Sequence, residues 1–173
     1  MAQETKNLMK EIRLEKVVLN MGVGKSGESI EIAKKALEQI SGKKPNARNA
    51  KKAQRDWGVR KNEPIGVAVT VRNNDAVTLL KKLFEAKGNN IKEKSIDKNG
   101  NLSFGILEHI DIPGIKYEPK IGILGLNVTI NLSRPGFNIK LRSKHKAKIG
   151  SSHRITSDEA KDYLTREFGV NVS

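Results

Sequence analysis

The segment Pro-Ile-Gly-Val-Ala-Val-Thr-Val-Arg, residues 64–72, alternates without a fault. Ile65, Val67, Val69 and Val71 fall on one side of an extended chain; Gly66, Ala68, Thr70 and Arg72 fall on the other. Side chains of a strand alternate between faces, so this segment predicts a sheet with one face on an apolar core and one small, polar face left open. Thr70 and Arg72 are expected to point away from the core.

The rest of the chain supplies what such a sheet needs. Residues 12–21 read as a strand centred on Val17, Val18 and Leu19. A helix is predicted over 29–41, with Ile30, Ala33, Leu37 and Ile40 on one face and Gly42 as a left-handed cap. A second helix is expected after an Asn74-Asp75 cap, burying Val77, Leu80, Leu83 and Phe84 and closing at Gly88. Residues 89–100 read as polar loop. Residues 102–110 and 122–132 read as strands around a turn at Pro113-Gly114. Thr156 and Glu159 form the capping box of a last helix that buries Ala160, Tyr163, Leu164 and Phe168 and stops at Gly169. The order β-α-β-β-α-β-β-α lacks a regular βαβ repeat. It predicts one α+β domain spanning 1–173, a mostly antiparallel sheet with helices on one face.

Charge narrows the function. Lys and Arg number 33 against 19 Asp and Glu, a formal charge of +14. Residues 43–61 carry eight cations and a single acid, Asp56; residues 120–154 carry no acid. Such self-repulsion calls for a polyanion, and nucleic acid is the natural one. A basic amphipathic helix for a membrane surface is not present in either block, which Pro45, Gly58, Pro135, Gly136 and Gly150 interrupt. No apolar run reaches membrane-spanning length, no signal-peptide core opens the chain, and Cys is absent. The expectation is a cytoplasmic protein with neither cofactor nor metal, and no small-molecule substrate.

Two motifs invite enzymatic readings. Gly22-x-Gly24-x-x-Gly27 lies between a strand and a helix, as a dinucleotide-binding loop would. Where the ribose-binding acid should follow, the chain gives Lys-Lys-Pro-Asn-Ala-Arg. A phosphate-loop reading of Gly24-Lys25-Ser26 needs glycine at 19, which is Leu19. His109 between Glu108 and Asp111 is too sparse a cluster for a metal site. Helix-turn-helix and zinc-finger patterns are missing, and aromatics are too few for extensive base stacking. What remains is a binder of structured RNA, with Lys and Arg on phosphates and Asn, Gln, Thr and Ser for base edges and 2′-hydroxyls.

Four segments carry a resemblance. They are Ile12-Arg-Leu-Glu-Lys-Val-Val-Leu-Asn-Met-Gly-Val-Gly24, Ser41-Gly-Lys-Lys-Pro45, Arg60-Lys-Asn-Glu-Pro-Ile-Gly-Val-Ala-Val-Thr-Val-Arg72 and Gly100-Asn-Leu-Ser-Phe-Gly-Ile-Leu-Glu-His-Ile-Asp-Ile-Pro-Gly-Ile-Lys-Tyr117. In order and over nearly the whole chain, they resemble the large-ribosomal-subunit protein five family. Ser133-Arg-Pro-Gly136 with the basic arm after it is similar to the archaeal and eukaryotic form. The resemblance implies a ribosomal protein that binds 5S rRNA in the central protuberance and links it to the large-subunit rRNA. It implies 5S contacts at Asn20, Lys43, Lys44, Arg48, Thr70 and Arg72. It implies a loop at about 50–58 whose Lys51, Lys52, Gln54 and Arg55 reach peptidyl-site tRNA. It implies an arm at about 134–155 laid on large-subunit rRNA, through Arg134, Lys140, Arg142, Lys144, Lys146, Lys148, His153 and Arg154. Neighbouring central-protuberance proteins are further implied partners. The chain departs from the family at Lys43, where Gln is usual, at Asn73 (Gly), at Ile96 (Phe) and at Leu8 (Pro).

Overall fold

The computed structural model describes residues 7–24, 26–115 and 117–172; Lys25, part of the phosphate-loop reading, and Lys116 lie outside them. Strand β1 (Arg13–Gly22) leads through the glycine loop into helix α1 (Glu28–Ser41). Strands β2 (Asn46–Asn49) and β3 (Pro64–Val71) follow, then α2 (Asn73–Ala86) and β4 (Asn90–Ile91). Strands β5 (Leu102–Ile106) and β6 (Leu126–Ser133) precede α3 (Ser157–Phe168) and β7 (Asn171–Val172). The main sheet has the order β2-β3-β1-β6-β5, antiparallel throughout. The two-residue β4 and β7 pair in parallel apart from it. No helix among the described residues is long and apolar enough to cross a membrane.

Burial alternates along β1 and β6, while on β3 the small Gly66 and Ala68 of the other face are buried beside the valines. Val17, Leu19 and Met21 of β1, Val67, Val69 and Val71 of β3, and Leu126, Val128, Ile130 and Leu132 of β6 all enter one apolar cluster. The buried stripes of the helices meet them there: Ile30, Ala33, Ala36 and Leu37 from α1, Leu79, Leu80, Leu83 and Phe84 from α2, Ala160 and Leu164 from α3. Phe84 stacks on Phe104 at 5.6 Å and meets Phe168 edge-on at 5.5 Å, so α2 joins β5 to α3 through one aromatic knot. The result is an α+β architecture with helices packed on one side of an antiparallel sheet.

Several boundaries differ from expectation, each for a local reason. The strand foreseen over 102–110 ends at Ile106, and the chain folds into a 3₁₀ turn at His109–Asp111. The strand foreseen over 122–132 begins only at Leu126, because Gly122 closes a turn on the Glu118 carbonyl at a left-handed φ of 70°. Helix α2 starts one residue before its expected cap. Arg72 takes the cap position without a side-chain bond, and Asp75 lies in the first turn, where the helix dipole favours an acid. Ala76 and Leu79 are buried in α2, whereas Val77 is only half-buried. Ile40, Tyr163 and Phe168 are likewise half-buried rather than central. The loop over 89–100 contains β4 and a 3₁₀ turn, and its Ile91 is part of the core. The capping box of α3 forms as foreseen, with Thr156 and Glu159 exchanging bonds.

The structure also accounts for the two rejected motifs. The glycine loop gives its Val23 and Gly24 N–H groups to the Ile65 carbonyl, at 3.0 and 2.8 Å, so they are not turned toward a phosphate. Both strands beside β1, β3 and β6, are antiparallel to it, and no parallel βαβ unit surrounds the loop among the described residues. His109 is buried and its Nδ1 accepts the Leu124 N–H at 3.3 Å, a local bond that holds the turn before β6.

Candidate nucleic-acid interface

The face of the sheet opposite the helices carries the polar half of each alternation. On β3 it shows Gly66, Ala68 and Thr70, and on β1 Val18 and Asn20. On β2 it shows Asn46 and Arg48, which pair with Ala68 and Gly66. On β6 it shows Asn127 and Thr129, which pair with Asn20 and Val18. One row therefore reads Asn46, Ala68, Asn20, Asn127 across four strands, and the next reads Thr70, Val18, Thr129. Neighbouring strands lie about 4.8 Å apart, so these amides and hydroxyls form a shallow polar floor. Ala68 and Gly66 are small enough to leave the Asn side chains standing free of one another. Gly66 has a second reason to be glycine: a Cβ there would meet the Met21 carbonyl oxygen at 2.9 Å.

Cations rim one corner of this floor. Asn20, Arg48, Thr70, Arg72, Lys43 and Lys44 are all exposed. Arg72 follows Thr70 at the end of β3, and Lys43 and Lys44 stand on the turn between α1 and β2. Two of these cations are already met by acids. Lys43 Nζ lies 2.7 Å from Asp75, and Arg72 lies 3.7 Å from Glu15. Exposed pairs of this kind are worth at most about 1 kcal/mol, so a phosphate can replace the carboxylate at little cost. Lys43, Lys44, Thr70 and Arg72 share this corner and Asn20 lies one strand in, whereas Arg48 stands opposite Gly66 at the far end of β2; Asn46 and Asn127, placed only by the register, share the floor with Ala68 and Asn20.

The basic loop is a folded hairpin. Gln54 and Val59 exchange both backbone bonds, Arg55–Trp57 makes a 3₁₀ turn, and Gly58 closes it at a left-handed φ of 65°. At its base Asn62 N–H donates to Ala50 and Ala50 N–H to Glu63. The Glu63 carboxylate accepts the Ser26 hydroxyl and the Arg60 N–H, and these donors hold its pKa below the usual carboxylate value. Lys51, Lys52, Gln54 and Arg55 are exposed along the loop, and Trp57 stands 77 % exposed at its tip.

The arm divides into two kinds of cation. Lys140, Arg142, Lys144, Lys146, Lys148 and Arg154 are exposed. Arg134 is not: its guanidinium lies inside, bonded to the Arg154 carbonyl at 3.1 Å and to the Glu159 carboxylate at 2.7 Å. Its charge is committed to holding the arm against α3, which sets it apart from the exposed cations with which the resemblance grouped it. Burial pushes the Glu159 carboxyl up. The Thr156 N–H and the Arg134 guanidinium together outweigh that effect and leave it lowered. His153 is half-buried, with Nε2 2.9 Å from the Pro135 carbonyl and its ring against Phe137. It too holds the arm together. No cluster of His, Asp and Glu fit for a metal occurs among the described residues.

Comparison with known proteins places this geometry. Residues 7–60 match the model of ribosomal protein L5, and residues 64–171 match the model of the C-terminus of the same ribosomal family. The large ribosomal subunit protein uL5 of Nitrosopumilus maritimus is 69% identical over 173 residues, covering 100% of both chains. The chain belongs to the uL5 family.

Further archaeal relatives agree. The uL5 of Cenarchaeum symbiosum is 65% identical over 95% of this chain and 97% of its own. That of Sulfurisphaera tokodaii is 45% identical over 98% and 96%. The uL5 family is one of structural proteins of the large ribosomal subunit, archaeal in type here, and not of enzymes. Asn73 sits at a left-handed φ of 60°, a conformation that Gly adopts freely and Asn tolerates best among other residues.

Proposed function

We propose that this chain binds 5S rRNA in the central protuberance through the Asn20, Lys43, Lys44, Arg48, Thr70 and Arg72 corner of its open sheet face. In this reading the same chain, acting as one RNA-binding unit, links 5S rRNA to the large-subunit rRNA through the exposed cations of its arm. The hairpin over 50–58 reaches the peptidyl-site tRNA with Lys51, Lys52, Gln54 and Arg55. Neighbouring ribosomal proteins complete the surroundings, and the site of action is the ribosome in the cytoplasm.

The observation that carries the proposal is an uncovered sheet face with free amides and a hydroxyl, rimmed at one corner by exposed cations. Amides and hydroxyls set register on bases and riboses, while cations neutralise phosphates. The mechanism is docking by shape and charge. Replacing Thr70 and Arg72 together by Ala tests it. We expect 5S rRNA affinity to fall by about tenfold or more, the scale of one lost arginine contact, with the melting temperature unchanged. A fall in melting temperature with binding intact would return both residues to the fold.

A further inference from the structure

A second polar trough lies at the other end of the sheet. Where β6 gives way to the arm, a cleft of about 250 Å³ opens between Asn101, Asn131, Phe137, Lys140 and Arg154. It continues along the open face of β5 and β6 as a shallower trough of about 600 Å³, past Ser103 and Thr129 to Lys94 and Lys98. Asn101 and Asn131 line both. Thr129 lies two strands from Thr70, about 10 Å across the sheet, so this site is separate from the corner that rims β3.

The side chains here are arranged for a ligand. Asn131 Nδ2 donates to Asn101 Oδ1 at 3.2 Å, which locks the two amides together. Among the described residues, Asn131 Oδ1 and the Asn101 amide hydrogens take no further bond, which leaves one acceptor and one donor for a base edge. The Phe137 ring, with Lys140 Nζ 5.0 Å from its centroid, gives an apolar wall. Cations stand at both ends, Lys140 and Arg154 at one, Lys94 and Lys98 at the other. The one carboxylate on the trough, Asp97, is occupied by the Lys98 N–H and the Asn99 amide. The 89–100 loop, which carries Lys94 and Lys98, is tied to α3 by Lys161, which meets Glu93 at 2.6 Å. The cleft, at about 250 Å³, is smaller than the roughly 300–1,000 Å³ of ordinary ligand sites, a size that suits one base.

We propose that this trough takes a single unstacked nucleotide of RNA, its base between the Asn101–Asn131 pair and Phe137 and its flanking phosphates on the two cation pairs. The inference rests on the reading of the chain as an rRNA binder. It adds a base-reading site to an arm otherwise expected to meet only phosphates.

Fluorescence anisotropy with the full-length protein and uridine and adenosine heptamers tests it. Asn101→Ala with Asn131→Ala should weaken heptamer binding about tenfold, the scale of one lost amide–base contact, and leave 5S rRNA binding intact. A heptamer with an abasic central position should bind the unaltered protein as weakly as the intact one binds the variant. The abasic heptamer needs no variant, so it gives the same reading should the double variant not fold. Equal binding of abasic and intact heptamers, or of variant and unaltered protein, would overturn the proposal. So would displacement by hexaglutamate as effective as by a heptamer, since charge alone would then explain binding. The Thr70 and Arg72 variant separates the two claims: loss of the 5S corner there leaves heptamer binding at the trough unchanged.

Discussion

At the scale of single residues, the sequence was most reliable where a side chain's role follows from its own strand. Thr70 and Arg72 stand where the alternation of β3 puts them. It was least reliable where a role depends on a partner far along the chain. Arg134 lies within an acid-free run and reads as free charge, yet Glu159, already committed to a capping box, also neutralises it. A substitution isolates that second role. Glu159→Gln can keep the cap but removes the anion facing a buried guanidinium. Because Glu159 is partly exposed, the loss should be about 1–2 kcal/mol by denaturant titration, below the cost of breaking a fully buried pair. The sign with pH follows. The Glu159 pKa is lowered on folding, so its contribution is present above the unfolded value and is lost as pH falls through the folded one. The unaltered protein should lose stability below about pH 4.5, and the Gln variant should lose less over that window. Gly66→Ala tests the close approach of β1 and β3. Its Cβ would press on the Met21 carbonyl, and a loss of about 1–3 kcal/mol is expected in the same assay.

At the scale of elements, the helices and the central strands were legible because their periods are long and clean. The breaks were not. Residues 118–125 carry apolar residues that extend the β6 pattern backward, but the left-handed backbone at Gly122 turns the chain away. The 50–63 hairpin shows no period at all. Its fold comes from backbone pairing across the loop and from Glu63 at its base, an acid just outside the basic block. This element should act independently of the sheet face. Neutralising Lys51, Lys52 and Arg55 together should leave 5S rRNA affinity within about twofold, while weakening tRNA protection on assembled large subunits by footprinting. Loss of 5S binding instead would move the hairpin to the other interface.

At the scale of the molecule, the charge of +14 is divided by the fold into separate surfaces. One side of the sheet is spent on the core; the other bears amides and hydroxyls, with a cation rim at the β2–β3 corner. The hairpin projects beyond β2 and β3, and the arm folds back on α3 through Arg134. Only the division into core face and open face could be read from the sequence. Asn46, Asn127 and the Asn101–Asn131 pair become a surface through strand register, which links residues distant in the chain. Each phosphate met by the molecule should steepen the salt dependence of RNA binding by roughly 0.7–0.9 in log–log slope. Charge alone would serve any RNA; the amides and hydroxyls must supply the preference. The central claim is therefore tested by direct binding of the full chain to 5S rRNA in the presence of excess tRNA. The account predicts tight one-to-one binding that the competitor does not displace. Equal affinity for both RNAs would contradict it.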